Sequence, residues 1–90
     1  MVIQILSSPP PEPEEIAGQL ADAIREGLPG AEVVVRAVSP GHFEIEVVSA
    51  DFEGLSRVKQ QQAVYAKIKH LMAGDTAPVH AIDRMVTRTP

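Results

Sequence analysis

The stretch AEVVVRAVSPGHFEIEVVS, residues 31–49, constrains this chain more than any other. Two runs rich in β-branched residues flank Ser39-Pro40-Gly41. Pro-Gly is a turn signal, because proline presets one turn dihedral and glycine supplies a left-handed one. The second run alternates, with Phe43, Ile45 and Val47 on one side and His42, Glu44 and Glu46 on the other. A period of two is strand geometry, so the spacing predicts a β-hairpin with strands over 31–38 and 42–49. One face of it is apolar and must be covered, and helices are the remaining candidates.

Two helical patterns are available. Pro13 suits a first helical position, and Glu14 and Glu15 follow where the helix dipole favours anions. Ile16, Leu20, Ile24 and Leu28 recur at four-residue spacing with Ala17 and Ala23 alongside, which predicts an amphipathic helix over 14–27, ended by Gly27 and Leu28-Pro29-Gly30. Ser56 can cap a second helix reaching Met72. At 100° per residue, Val58, Val64, Tyr65, Ile68, Leu71 and Met72 fall in one broad stripe that also contains Gln61. Lys59, Gln62, Lys67, Lys69 and His70 fall outside it, and Gly74 supplies the stop. APVHAIDRMVTRT, residues 77–89, reads as a third strand with weaker alternation, opened by His80.

The element order is therefore helix, strand, strand, helix, strand. The expected fold class is α/β (α+β), a small domain with a three-stranded mixed sheet and both helices packed on one face. The third strand can lie parallel to the second through a helical crossover, or pair with the first. Residues 1–13 are expected to be an N-terminal extension, with MVIQIL as an edge strand or disordered and SSPPPEP, residues 7–13, as a polyproline-type linker. Residues 14–90 are expected to form the one domain that a chain of 90 residues supports.

Composition excludes several function classes. The aromatic residues are Phe43, Phe52 and Tyr65, so the core must be built from Val, Ile, Leu and Ala. The net charge of −4 is uneven: residues 1–53 hold ten acidic and two basic side chains, and residues 54–90 hold two and six. A net negative field argues against bulk binding of polyanions. There is no cysteine, hence no disulfide and no thiolate ligand, which is compatible with the cytoplasm. The N-terminus lacks a basic segment and a long apolar run, so neither a secretory signal nor a membrane span is expected. No P-loop, dinucleotide fingerprint or G-x-S-x-G is present. Ser39, Ser49 and Ser56 read as turn or cap serines, and Glu44 and Glu46 as solvated neighbours on a strand. The chain is not expected to be an enzyme.

The histidines and the basic residues remain. His70 belongs to the wet face of the second helix, and His42 opens the second strand on its polar side. One imidazole makes a poor metal site, so a ligand set around His80 would need a second histidine or another protein. For nucleic acid, Arg57 and Lys59 near a helix start, with Lys67 and Lys69 further on and Arg84 and Arg88 in reserve, could touch phosphates. A G-x-x-G clamp is lacking, because the corresponding loop reads GLSR over 54–57, and there is no aromatic stacking platform.

HFEIEVVSADFEGLSRVKQQQAVYAKIKHLM, residues 42–72, followed by PVHAI, residues 78–82, resembles the BolA-like family, and FEGLSRVKQQQAVY is most similar to its IbaG-type branch. The shared features are His42-Phe43, Val47-Val48-Ser49, Phe52-x-Gly54, the SRVKQQ helix start, Tyr65 and the Val79-His80-Ala81 tripeptide. The resemblance implies a KH-like topology, in agreement with the order read above. It implies an adaptor that partners a monothiol glutaredoxin, with glutathione, and shares a bridging 2Fe–2S cluster in iron–sulfur trafficking or iron and redox sensing. In that arrangement the partner supplies the thiolates, no cluster is held by this chain alone, and the histidine of the V-H-A motif, His80, is the metal ligand. The family's second ligand comes from the loop between the first two strands. That loop is SPG here, and His42 just after it is the nearest candidate. The alternative that the resemblance implies is a DNA-binding transcriptional regulator of the stress response, with Arg57, Lys59, Lys67 and Lys69 on the nucleic acid.

Overall fold

In the computed structural model, which describes residues 11–90, the first apolar period becomes helix α1, Pro13–Gly27. MVIQIL and most of the proline-rich linker lie outside the described residues. Pro13 stands at the helix start, and the Glu12 carbonyl accepts the first hydrogen bonds, from the N–H groups of Glu15 (2.9 Å) and Ile16 (3.2 Å). Ile16, Leu20 and Ile24 are buried as their spacing requires, joined by Ala21 and, past the helix end, Leu28.

The hairpin forms from β1, Glu32–Ser39, and β2, His42–Val48, paired antiparallel. Val33, Val35 and Ala37 stand opposite Val47, Ile45 and Phe43 on the helix-covered face. Next to the turn Ala37 pairs with Phe43 but Ser39 pairs with His42, so Val38 is an extra residue and remains exposed. On the outer face Arg36 meets Glu44 (3.6 Å) and Arg88 meets Glu46 (3.5 Å). Exposed pairs of this kind contribute about 0–1 kcal/mol each.

The sheet order is β1-β2-β3, with β3, Ala81–Arg88, parallel to β2. Of the two pairings that the sequence leaves open, the crossover is the one formed. The weak alternation of this strand has a geometric consequence. Ile82 and Met85 both face the core opposite Phe43 and Ile45, yet they are three residues apart, an odd spacing that a regular strand cannot accommodate on one face. A bulge resolves the conflict: Phe43 pairs with Ile82, Glu44 pairs with Arg84, and Asp83 is the extra residue. Without it, Asp83 would stand opposite Glu44 and Arg84 would turn inward. The strand starts at Ala81 rather than at residue 77, so His80 lies one residue ahead of it.

The crossover runs through a 3₁₀ turn, Ala50–Phe52, and helix α2, Arg57–Ile68. Buried Ser49 caps the turn, its Oγ accepting from the Asp51 N–H (3.1 Å), and Phe52 drops into the core. Ser56 caps α2 as expected, its Oγ accepting from the Lys59 N–H (3.2 Å). The helix ends sooner than Met72: α geometry stops at Ile68 and a 3₁₀ turn carries Lys69–Leu71. Its inward stripe is also narrower than expected. Val64 and Ile68 are buried, but Val58 is 63% and Tyr65 37% exposed. Gln61, placed in the stripe by the periodicity, spends its polarity on the sheet by donating from Nε2 to the Met85 carbonyl (3.1 Å).

Both helices cover one face of the sheet. Leu20 and Ile24 from α1, Val64 and Ile68 from α2, Phe43, Ile45 and Val47 from β2, and Phe52 and Val79 from the connections form one core. Each large aliphatic or aromatic side chain buried there contributes about 1.5–3 kcal/mol.

Candidate functional site

The parallel pairing of β3 with β2 brings the start of β3 against the hairpin turn. The carbonyl of Gly41 accepts two hydrogen bonds, from the N–H of His80 (2.8 Å) and from that of Ala81 (3.1 Å). Val79 is buried and its N–H donates to the Leu71 carbonyl (3.2 Å), so the residue before His80 is pinned inward. Val79 inward, His80 outward and Ala81 opposite His42 is the geometry of the V-H-A tripeptide.

Gly41 is the seat for His80. Its φ is +80°, a conformation that favours glycine. A Cβ at this position would lie 2.6 Å from His80 Nδ1 and 2.8 Å from its Cγ. The imidazole therefore rests directly on the glycine Cα. Despite this support His80 is exposed, and among the described residues no hydrogen bond engages either of its ring nitrogens.

His42 stands beside this seat, in register with Ala81. Its Nδ1 lies 2.9 Å from Asp83 Oδ1, with both side chains about two-fifths exposed (42% and 40%). Asp83, the extra residue of the β3 bulge, lies two residues on from Ala81, which stands opposite His42. Asp83 and Gly41 are the two site residues that sequence reasoning missed. The odd spacing of Ile82 and Met85 was the available signal for the first. Nothing local marked the second as more than a turn residue.

Two imidazoles are thus gathered at one margin of the sheet. Among the described residues no group of three His, Cys, Asp or Glu is arranged to hold a metal ion. Two imidazoles by themselves do not complete a metal site.

The basic residues named for nucleic acid are dispersed. Arg57 and Lys59 are two residues apart on α2, which separates them by about 160° around its axis. Arg57 lines a shallow cleft with Gln61, Met85 and Thr87. The aliphatic stem of Lys67 lies across Gly27 at the end of α1, and Lys69 sits in the following 3₁₀ turn. Arg88 is paired with Glu46. Arg57, Lys59, Lys67 and Lys69 do not form one face. His70 is exposed beside a groove between the helices that Asp22, Glu26 and Lys67 also line. No helix among the described residues is long and apolar enough to cross a membrane.

Comparison with known proteins gives this geometry its context. Residues 29–90 match the family model described as BolA-like protein. This chain belongs to the BolA-like family. A relative from Acinetobacter guillouiae, named "Uncharacterized protein in rpoN-murA intergenic region", is 38% identical over 64 residues, which cover 71% of this chain and 74% of that protein. "BolA-like protein 1" of Bos taurus is 44% identical over 57 residues, 60% of this chain but only 39% of the bovine protein. Among solved structures, "BolA1 from Arabidopsis thaliana" superposes with a TM-score of 0.70 at 29% identity, covering 82% of this chain and 90% of that one. The model match begins after α1, so the region it covers is the BolA-like hairpin, crossover and third strand, which carry every residue of the site just described.

Proposed function

We propose that this BolA-like protein is a cytoplasmic adaptor that docks a monothiol glutaredoxin and shares a 2Fe–2S cluster with it and its glutathione. One observation carries the reading: His80 is held on Gly41 by backbone hydrogen bonds, yet its ring is exposed and both ring nitrogens lack a partner within the described residues. A fixed, outward imidazole in a chain without cysteine suits a cluster whose thiolates come from another protein. His42 supplies the second imidazole at the same margin.

The chemistry follows from the donor set. Replacing thiolates by imidazoles raises the reduction potential of a 2Fe–2S centre. The protein's part is to present the ring from a rigid support. The test is co-expression with a monothiol glutaredoxin, followed by visible absorption and circular dichroism of the purified complex. A coloured heterodimer is expected, with an altered spectrum in His80→Ala. A colourless heterodimer, or a spectrum that ignores His80→Ala, refutes the reading.

A further inference from the structure

We infer that Asp83 is a positioning residue, which fixes the proton of His42 on Nδ1 and so leaves Nε2 as the metal-binding nitrogen of a second donor beside His80. The donor role rests on the adaptor reading above, but the proton assignment does not.

His42 Nδ1 and Asp83 Oδ1 lie 2.9 Å apart. An ionised carboxylate has no hydrogen to give and can only accept. The hydrogen in the contact therefore belongs to the imidazole, on Nδ1. In the neutral ring the other nitrogen, Nε2, then carries the lone pair. A carboxylate bonded to one imidazole nitrogen while the other is free for metal is the usual support of a histidine ligand. It sets the tautomer, restrains the ring and raises its basicity.

The fold makes the contact specifically. Asp83 is the inserted residue of the β3 bulge, and a regular strand would place it opposite Glu44 instead, carboxylate beside carboxylate. Arg84, which takes the place opposite Glu44, completes the charge pattern of the outer face. His80 has no such carboxylate partner among the described residues, although its ring is supported by Gly41. The two imidazoles are therefore prepared differently, one by steric seating and one by a hydrogen bond.

The first measurement needs no iron. Long-range ¹H–¹⁵N correlation of the histidine rings in the isolated chain, at alkaline pH, should show His42 with Nδ1 protonated and Nε2 unprotonated. Asp83→Ala should abolish that preference, since an unconstrained side chain favours the proton on Nε2. Wild-type His42 protonated on Nε2, or a ring pattern unchanged in Asp83→Ala, overturns the inference. The second measurement uses the glutaredoxin complex with ¹⁵N-histidine in this chain. Pulsed electron paramagnetic resonance of the reduced cluster should show two nitrogen couplings, and only one in His42→Ala. Asp83→Ala should lose its cluster about 10–100-fold faster. A loaded complex with one coupling in the wild type, or a loss rate that ignores Asp83→Ala, refutes the donor role alone. A complex that never holds iron refutes the adaptor reading and with it the donor role, leaving the ring-proton result to stand or fall by itself.

Discussion

Replacing Gly41 by alanine separates the conformation of the hairpin turn from the seating of His80. The backbone cost comes from φ of +80°; an L residue in the left-handed region costs about 1–2 kcal/mol. The second cost is steric, because the new methyl would lie 2.6 Å from Nδ1 and 2.8 Å from Cγ of His80. The ring must leave its rotamer, at about 0.5–1.5 kcal/mol. Gly54 is the internal control: its φ is also +80°, and nothing lies within 4 Å of a Cβ placed there. Gly54→Ala should therefore show the backbone cost alone, and Gly41→Ala should exceed it by about 0.5–1.5 kcal/mol. Urea unfolding with a common m-value measures the difference, and each kcal/mol corresponds to about 4–8 °C in Tm for a domain of this size. The decisive comparison places Gly41→Ala in a His80→Ala background, where the steric excess should vanish. Equal losses for the two glycine variants, or an excess that persists without the imidazole, would refute the seat.

The remaining predictions concern the scaffold. Leu20 is fully buried, so Leu20→Ala should cost about 2–5 kcal/mol in urea unfolding. Ser56→Ala should cost about 1 kcal/mol by the same assay, since its hydroxyl accepts from the Lys59 N–H at the start of α2. On that helix Ile68→Ala should cost about 2–5 kcal/mol. Val58→Ser should stay within about 0.5 kcal/mol of wild type, because Val58 is 63% exposed. Comparable losses at both positions would restore the broad stripe that periodicity suggests.

The legible part of this fold is the part in which local pattern and tertiary packing agree. Ile16, Leu20 and Ile24 recur at a spacing that admits one helix face, and that face is buried. Phe43, Ile45 and Val47 alternate across a Pro-Gly turn, and a hairpin results. The second helix was less legible because its apolar residues spread too widely to define a direction: Val58 and Tyr65 lie about 120° and 100° from Val64 around the axis. The sheet selects Val64 and Ile68, which leaves the other two in solvent. The site was half visible. His80 and His42 stand out as residue types in a chain with no cysteine, but their supports depend on pairing across the crossover. Asp83 reaches His42 over 41 residues of sequence, and Gly41 becomes a seat only once His80 is delivered to it. Spacing within one element carries no record of either contact.

The crossover that joins β2 to β3 has a consequence for the biogenesis of the protein. The hairpin can zip from its own turn, and α2 can coil from its own cap, while the chain is still being made. The pair of imidazoles has no such local origin, because it exists only when the last strand has docked beside the second. A nascent or nicked chain that stops short of residue 80 lacks His80 and leaves His42 without Asp83. The paired rings thus certify completed folding, because no local element forms the arrangement by itself.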